Sequence, residues 1–404
     1  MGDLKKLEHP PALSRPRLAA MGLEAEFALV VDGEPRRPED VFRTPREFIR
    51  GELMHRQGTS YHLPTGGAVY FDTGVIELAT PVIEIERGCA ARAGRSLWES
   101  IHFVRDELDE WDRAHGTDSR LVGFSAHYNV SFDEPLNGRR NGNGVDALAH
   151  VLTYVLPAPV MLLATNRRST GVGVRPRRER VEVTLDFTPS PALMIATGTL
   201  IVGIVREAMT WERYDVSTLE ELDLPVIRRF RPVPHTSRKG WLARFSCYPE
   251  NPFMCDVDAP IWHTRHHGVL SLREIAGRTV RHFWRSIRRI SDPFTFRLIG
   301  SVIRGRSPSL LELDDRPEEY EDVGRLCSWD ELFPPAQMER SRYERVLIRA
   351  ISGQRLRLRD RTLRPVGMKG WSAVIFQSDT DGRRTTVAID DLVRHLDAWE
   401  RDGG

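Results

Sequence analysis

Glu24 and Glu26 stand two apart in GLEAEFALVV, a stretch whose Val, Leu and Phe content and alternation predict a strand. Side chains two apart on a strand share a face, so the two carboxylates point one way and Leu23, Ala25 and Phe27 the other. Three further segments repeat the pattern. In GGAVYFDTGVIELATP, Asp72 shares the face of Ala68 and Tyr70, and Glu77 follows the break at Thr73-Gly74. In LVGFSAHYNVSF, His127 and Asn129 lie together. In RVEVTLDF, Arg180, Glu182 and Asp186 oppose Val181, Val183 and Leu185. The solvated face of a one-sided antiparallel sheet alternates in the same way. Such a face usually mixes lysine with Thr, Gln and Glu, and no lysine occurs in any of these segments. Carboxylates two apart on one strand repel across about 7 Å unless something positive lies between them. Glu24, Glu26, Glu77, His127 and Glu182 form a set of hard oxygen ligands plus an imidazole, suited to Mg2+ or Mn2+. Such ions bridge nucleotide phosphates and neutralise the charge that develops in phosphoryl transfer.

The loop NRRSTGVGVRPRR, residues 166–178, supplies planar guanidinium donors for phosphate oxygens and glycines for close backbone approach. It lacks the spacing of a P-loop, and it precedes a strand where a dinucleotide-binding loop would follow one. By itself it is more commonly an Arg-rich surface loop. With a carboxylate cluster nearby, Arg167, Arg168 and Arg175 become candidate phosphate contacts.

The elements that would position these groups are legible. Residues 1–20, rich in Pro and Arg, read as an extended lead-in. Leu97, Ile101, Val104, Leu108 and Trp111 recur at helical spacing and predict an amphipathic helix. Glu134–Gly144 is a Gly- and Asn-rich loop, and its part from Asn137 is placed to close over substrate as a lid, although a plain insertion reads the same way. An apolar helix over Val145–Leu156 is interrupted at Pro157 and Pro159. Ala192–Val205 is apolar on all sides and belongs in the core. Arg278–Arg306 reads as a basic helix pair, facing either a partner or the acidic stretch Glu312–Asp322. A hairpin around Asp379–Gly382 and a helix over Asp390–Trp399 end the chain. Strands with helices grouped between them predict an α+β protein on a largely antiparallel sheet. The expected organisation is a lead-in (1–20), a catalytic domain (21–310) and a small α/β C-terminal domain (311–404).

The 404 residues are 40% hydrophobic and 28% charged, a globular composition. Lys+Arg 58 against Asp+Glu 57 gives a net charge of +1, which argues against a nucleic-acid-coating protein. Four cysteines without CxxC spacing argue against a disulfide framework and for a reduced, cytoplasmic protein. No apolar run reaches the roughly 20 residues of a membrane span, and the N-terminus lacks the apolar region of a secretory signal. His263, His266 and His267 lack the partners and helical spacing of a zinc site.

Taken in order, these motifs resemble the glutamine synthetase / glutamate–cysteine ligase superfamily of carboxylate–amine ligases, nearest the Pup ligase / depupylase branch. MGLEAEF is similar to that branch's opening. GGAVYFDTGVIELATP resembles its aspartate-bearing segment, with Asp72 at the catalytic aspartate and Glu77 at the following glutamate. GFSAHYNVSF resembles the histidine-bearing strand, with Tyr128-Asn129 where the Pup enzymes carry a glutamate. RVEVTLDFTPSPALMIATGTLI resembles the strand–helix of glutamine synthetases, and Glu182 matches their glutamate where the Pup branch has histidine. The likeness covers roughly residues 21–210.

What the resemblance implies is a curved, mostly antiparallel sheet cradle with helices on its back. It implies an ATP- and Mg2+-dependent reaction in which a carboxylate is activated as an acyl phosphate and attacked by an amine. Asp72 would be the general base, Glu24, Glu26, Glu77, His127 and Glu182 would position metal and phosphate, and Asn129, Arg167, Arg168 and Arg175 would contact nucleotide. The carboxylate belongs to a small molecule, a peptide or a protein tail. Two rivals remain: a depupylase-like amidohydrolase with nucleotide as cofactor, and a non-catalytic binding module on the same fold.

Overall fold

A computed structural model describes residues 19–132, 144–177, 180–188, 190–235, 239–312, 339–358 and 361–402. The lead-in through residue 18, the Gly/Asn loop over 133–143 and the acidic stretch beyond Glu312 lie outside them. The chain forms two compact units, one of Met1–Glu84, Arg95–Val122 and Trp329–Gly404, the other of Ile85–Gly94 and Gly123–Ser328. Both are mixtures of helix and antiparallel sheet.

The first unit opens with β1 (Ala20–Val31), β2 (Glu34–Arg36), α1 (Pro38–Phe42), β3 (Met54–Gln57), β4 (Ser60–His62), β5 (Ala68–Asp72), β6 (Val75–Ala79) and β7 (Ile83–Glu84). Its sheet runs β1–β6–β5–β4–β3, with β2 and β7 also paired to β1. Alternation is clean in β1: Leu23, Ala25, Phe27 and Leu29 are buried while Glu24 and Glu26 are half-buried. Helix α2 (Cys89–His115) begins in the second unit and continues through the first, burying Leu97, Ile101, Val104 and Leu108 as their spacing predicts.

Strand β8 (Ser119–Ser131) leads into the second unit. Helix α3 (Gly144–Val155) ends where the sequence predicts, but prolines 157 and 159 do not leave a loop. They start a new helix, α4 (Pro157–Ala164), bent 61° from α3, because proline is tolerated in the first turn where no amide partner is lost. Then come β9 (Val172–Arg177), β10 (Arg180–Asp186), α5 (Pro191–Ala208), α6 (Val216–Glu221), β11 (Val233–Pro234), β12 (Trp241–Ala243), β13 (Trp262–His263) and β14 (Val269–Leu270). The unit's main sheet runs β11–β12–β9–β10–β8, antiparallel throughout. Helix α5 is long and apolar enough to cross a membrane, with a mean hydropathy of 1.4, yet 78% of it is buried in the protein. Gly203 lets it meet the next helices closely, since a Cβ there would lie 2.9 Å from the Ile287 Cα. The expected basic helix pair is three helices: α7 (Leu272–His282), α8 (Trp284–Ile290) and α9 (Pro293–Ile303). Ser271 and Asp292 cap the first and third, and Pro293 fixes the last start.

The chain returns to the first unit with α10 (Arg342–Ile351), β15 (Leu356–Leu358), β16 (Arg361–Lys369), β17 (Ala373–Ser378), β18 (Arg384–Ala388), α11 (Ile389–Arg394) and α12 (Leu396–Asp402). The four strands form a meander, and Val346, Leu347, Phe376, Val387 and Trp399 share one apolar cluster with Ala20 of β1. Helix α10 is fixed by a capping box between Ser341 and Glu344. The fully buried Glu344 carboxylate also accepts a hydrogen bond from Arg95 of α2 at 2.8 Å.

Removing one partner of a buried ion pair strands the other charge, at a cost of about 3–5 kcal/mol. Glu344→Ala, which also removes the cap, should lower stability by at least about 3 kcal/mol in denaturant titration. A loss below about 1 kcal/mol would mean that solvent already compensates Arg95.

Candidate metal and catalytic site

Strands β5 and β6 form a two-residue hairpin in which Asp72 faces Val75 across Thr73-Gly74. Both turn residues have positive φ, 55° and 97°, as a type I′ turn demands. Glycine meets that requirement freely, whereas a β-branched threonine does not. The strained threonine has a function visible in the geometry, because its hydroxyl donates to Asp72 Oδ1 at 2.8 Å. The Gly74 amide donates to Glu39 Oε1 at 2.9 Å, so α1 steadies the same turn. Strain of this kind collects at functional sites, where the surroundings hold it in place.

Cross-strand register completes the arrangement. Glu77 of β6 stands opposite Glu26 of β1 on one side and Tyr70 of β5 on the other. One carboxylate oxygen each from Glu26, Asp72 and Glu77 lies within 4.8 Å of the others, and Glu24 comes as close to Glu77. Glu77 is 3% exposed, so this is not a solvated face. Burial first, then the Glu24, Glu26 and Asp72 charges, push Glu77 from 4.5 up to about 8, while a hydrogen bond from Tyr70 opposes the rise. Burial first, then the Glu24 and Glu77 charges, keep the Tyr70 phenol protonated, and therefore a donor. Three carboxylates this close need a positive charge among them, and Glu77 holds a proton for that purpose. Glu26, Asp72 and Glu77 are the residues that could hold a hard divalent cation here, each offering a carboxylate oxygen from a different strand.

In the second unit, His127 and Asn129 of β8 are buried at 6% and 7% exposure, facing Thr184 and Glu182 of β10. His127 Nε2 lies 3.3 Å from Ser125 Oγ. Glu182, expected among the metal ligands, is engaged by guanidinium groups: Arg175 binds Oε1, and Arg177 Nε lies 2.6 Å from Oε2. Arg180 stands opposite Arg177 and donates to Asn129 Oδ1 at 2.6 Å. Two arginines thus meet the Glu182 carboxylate and a third lies beside them on Asn129, a set of guanidinium donors of the kind that phosphate oxygens accept. The other expected phosphate contacts are placed differently. Arg167 donates from Nε to the Leu311 carbonyl at 3.1 Å, and the Arg168 backbone amide donates to Asn166 Oδ1 at 2.9 Å. Cys89 is an inert thiol, pushed up to about 12 chiefly by burial.

Sequence reasoning missed Tyr70, Arg177 and Arg180 as members of these groups. Parity had placed Tyr70 beside Asp72 and Arg180 beside Glu182, and that signal was enough to find both. Arg177 needed the register of β9 against β10.

No protein-family description matches the sequence, and no curated protein matches it. Among solved structures, the crystal structure of the complex between the prokaryotic ubiquitin-like protein Pup and its ligase PafA is similar, with a TM-score of 0.51. The similarity covers 96% of this chain and 92% of that one at 11% identity, and it shows a shared fold.

A carboxyl with a raised pKa keeps a proton that the unfolded chain has released, so Glu77 makes stability fall as pH rises from 4.5 to about 8. Glu77→Gln removes the titrating group. In EDTA, its melting temperature relative to wild type should therefore improve between pH 5 and pH 8.5, followed by calorimetry. A difference that stays constant with pH would contradict the raised pKa.

Proposed function

We propose that this protein is an ATP- and Mg2+-dependent carboxylate–amine ligase, forming an amide or isopeptide bond by way of an acyl phosphate. The observation that carries the reading is the convergence of Glu26, Asp72 and Glu77 within 4.8 Å. Support comes from a fold shared with a ligase that was solved with its protein substrate partner, Pup. Bound Mg·ATP would supply the phosphoryl group that activates a carboxylate toward an amine. The remaining steps fall to the chain's own residues.

Glu77, buried and central, and Glu26, opposite it, would hold the cation, with Glu24 beside them. Asp72 is half-buried at the end of its strand, where an incoming amine can reach it. It takes the amine's proton as general base, its carboxyl oriented by the Thr73 hydroxyl. Arg175, Arg177 and Arg180 supply donors of the kind that phosphate oxygens accept, and Asn129 orients Arg180. The carboxylate substrate is a small molecule, a peptide or a protein tail, as the bond formed requires.

Asp72→Asn removes the base with little change of volume. It should leave Mg·ATP binding intact and lower amine-dependent ADP formation by roughly 10²–10⁴-fold, measured by coupled assay and calorimetry. Full turnover in the variant would remove Asp72 from the chemistry. Amide hydrolysis without ADP accumulation in the wild type would make the enzyme an amidohydrolase instead.

A further inference from the structure

The first unit contains an open cleft of about 670 Å³ between β3 with its turn into β4 and the β16–β17 hairpin. That volume lies in the range of small-molecule sites, roughly 300–1,000 Å³. Its charged lining is of one sign: Arg56, Lys369 and Arg384 contribute, and no carboxylate does. Elsewhere in this unit guanidinium groups meet carboxylates, as Arg95 meets Glu344 and Arg340 meets Glu99. Lys369 and Arg384 are exposed and have no ion-pair partner among the described residues.

The backbone of the cleft is irregular on both sides. Pairing of β3 with β4 slips between His55 and Gln57, and pairing of β16 with β17 slips between Pro365 and Gly367. The residues skipped are Arg56 and Val366, and both line the cleft. A bulge re-aims the side chain it carries, and bulges concentrate beside sites. Arg56 is also held in orientation: its guanidinium carbon lies 4.9 Å from the Trp371 ring centre and 5.7 Å from that of Tyr70. A planar fork fixed between two rings loses little freedom on binding an oxyanion. Gly58, Gly367 and Gly370 leave the adjoining backbone uncovered by side chains.

We propose that this cleft binds a small molecule through a phosphoryl group, gripped by Arg56, Lys369 and Arg384. The charge calls for a multiply charged oxyanion, and the volume for a small organic body attached to it. None of Glu24, Glu26, Asp72 or Glu77 lines the cleft, so the site requires no metal ion.

The test is calorimetric titration of inorganic pyrophosphate into the full-length protein in EDTA, repeated with the Lys369→Ala/Arg384→Ala double variant. Both changes are at exposed positions, so the fold is retained. Wild type should bind one equivalent, more weakly as salt is raised. The double variant should bind about 100-fold less tightly, roughly tenfold for each charge-assisted contact removed, while its Mg·ATP binding is unchanged. Equal pyrophosphate binding by both proteins, or none by wild type at millimolar concentration, overturns the proposal. So does binding of a glutamate-rich peptide that depends on Lys369 and Arg384 when pyrophosphate does not bind.

Discussion

Three carboxylates brought within 4.8 Å of one another, Glu77 buried and the other two half-buried, repel one another unless a proton or a cation comes between them. The first unit is organised around that constraint. Strand β1 is clamped by β6, β2 and β7, which fixes Glu26 opposite Glu77. The β5–β6 hairpin fixes Asp72 at the end of the same patch through a turn that strains Thr73. Tyr70 gives Glu77 a donor that stays protonated. What remains is a place for one proton or one hard cation, and exchange between the two is the chemical property on which the proposed activity depends.

The second unit carries another solution to buried charge. Glu182 is as buried as Glu77, yet it is balanced by Arg175 and Arg177 within its own unit. An ion pair of this kind gives the carboxylate a fixed partner. Glu182 is thereby suited to holding arginines in place, and Glu77 to accepting a cation. Sequence parity treats the two glutamates alike, and only the neighbouring strands tell them apart.

Much of the fold was legible because the strands obey a period of two. Parity in β1, β5, β8 and β10 identified the polar face, and helical spacing identified α2. Apolarity on every side placed α5 in the interior. What failed to show had physical causes. The pairing of Arg175 with Glu182 stayed hidden because it depends on the register of β9 against β10, which seven residues of sequence separation do not reveal. Proline at 157 read as a stop although it can open a helix. Arg56 stayed hidden because a register slip breaks the alternation that exposed the other residues. The basic segment before residue 306 divides into three helices at Phe283 and at Ser291-Asp292, and at the second boundary the Asp292 cap sets the new start.

The central claim is that a divalent cation displaces the proton held at Glu77. Its most direct test is calorimetric titration of Mg·ATP at pH 7 in buffers of different ionisation enthalpy, which counts the protons released on binding. With Glu77 raised to about 8, the account predicts release of about one proton per site in the wild type. It predicts none from that group in Glu77→Gln. Mg·ATP binding with no proton released by the wild type would contradict the account.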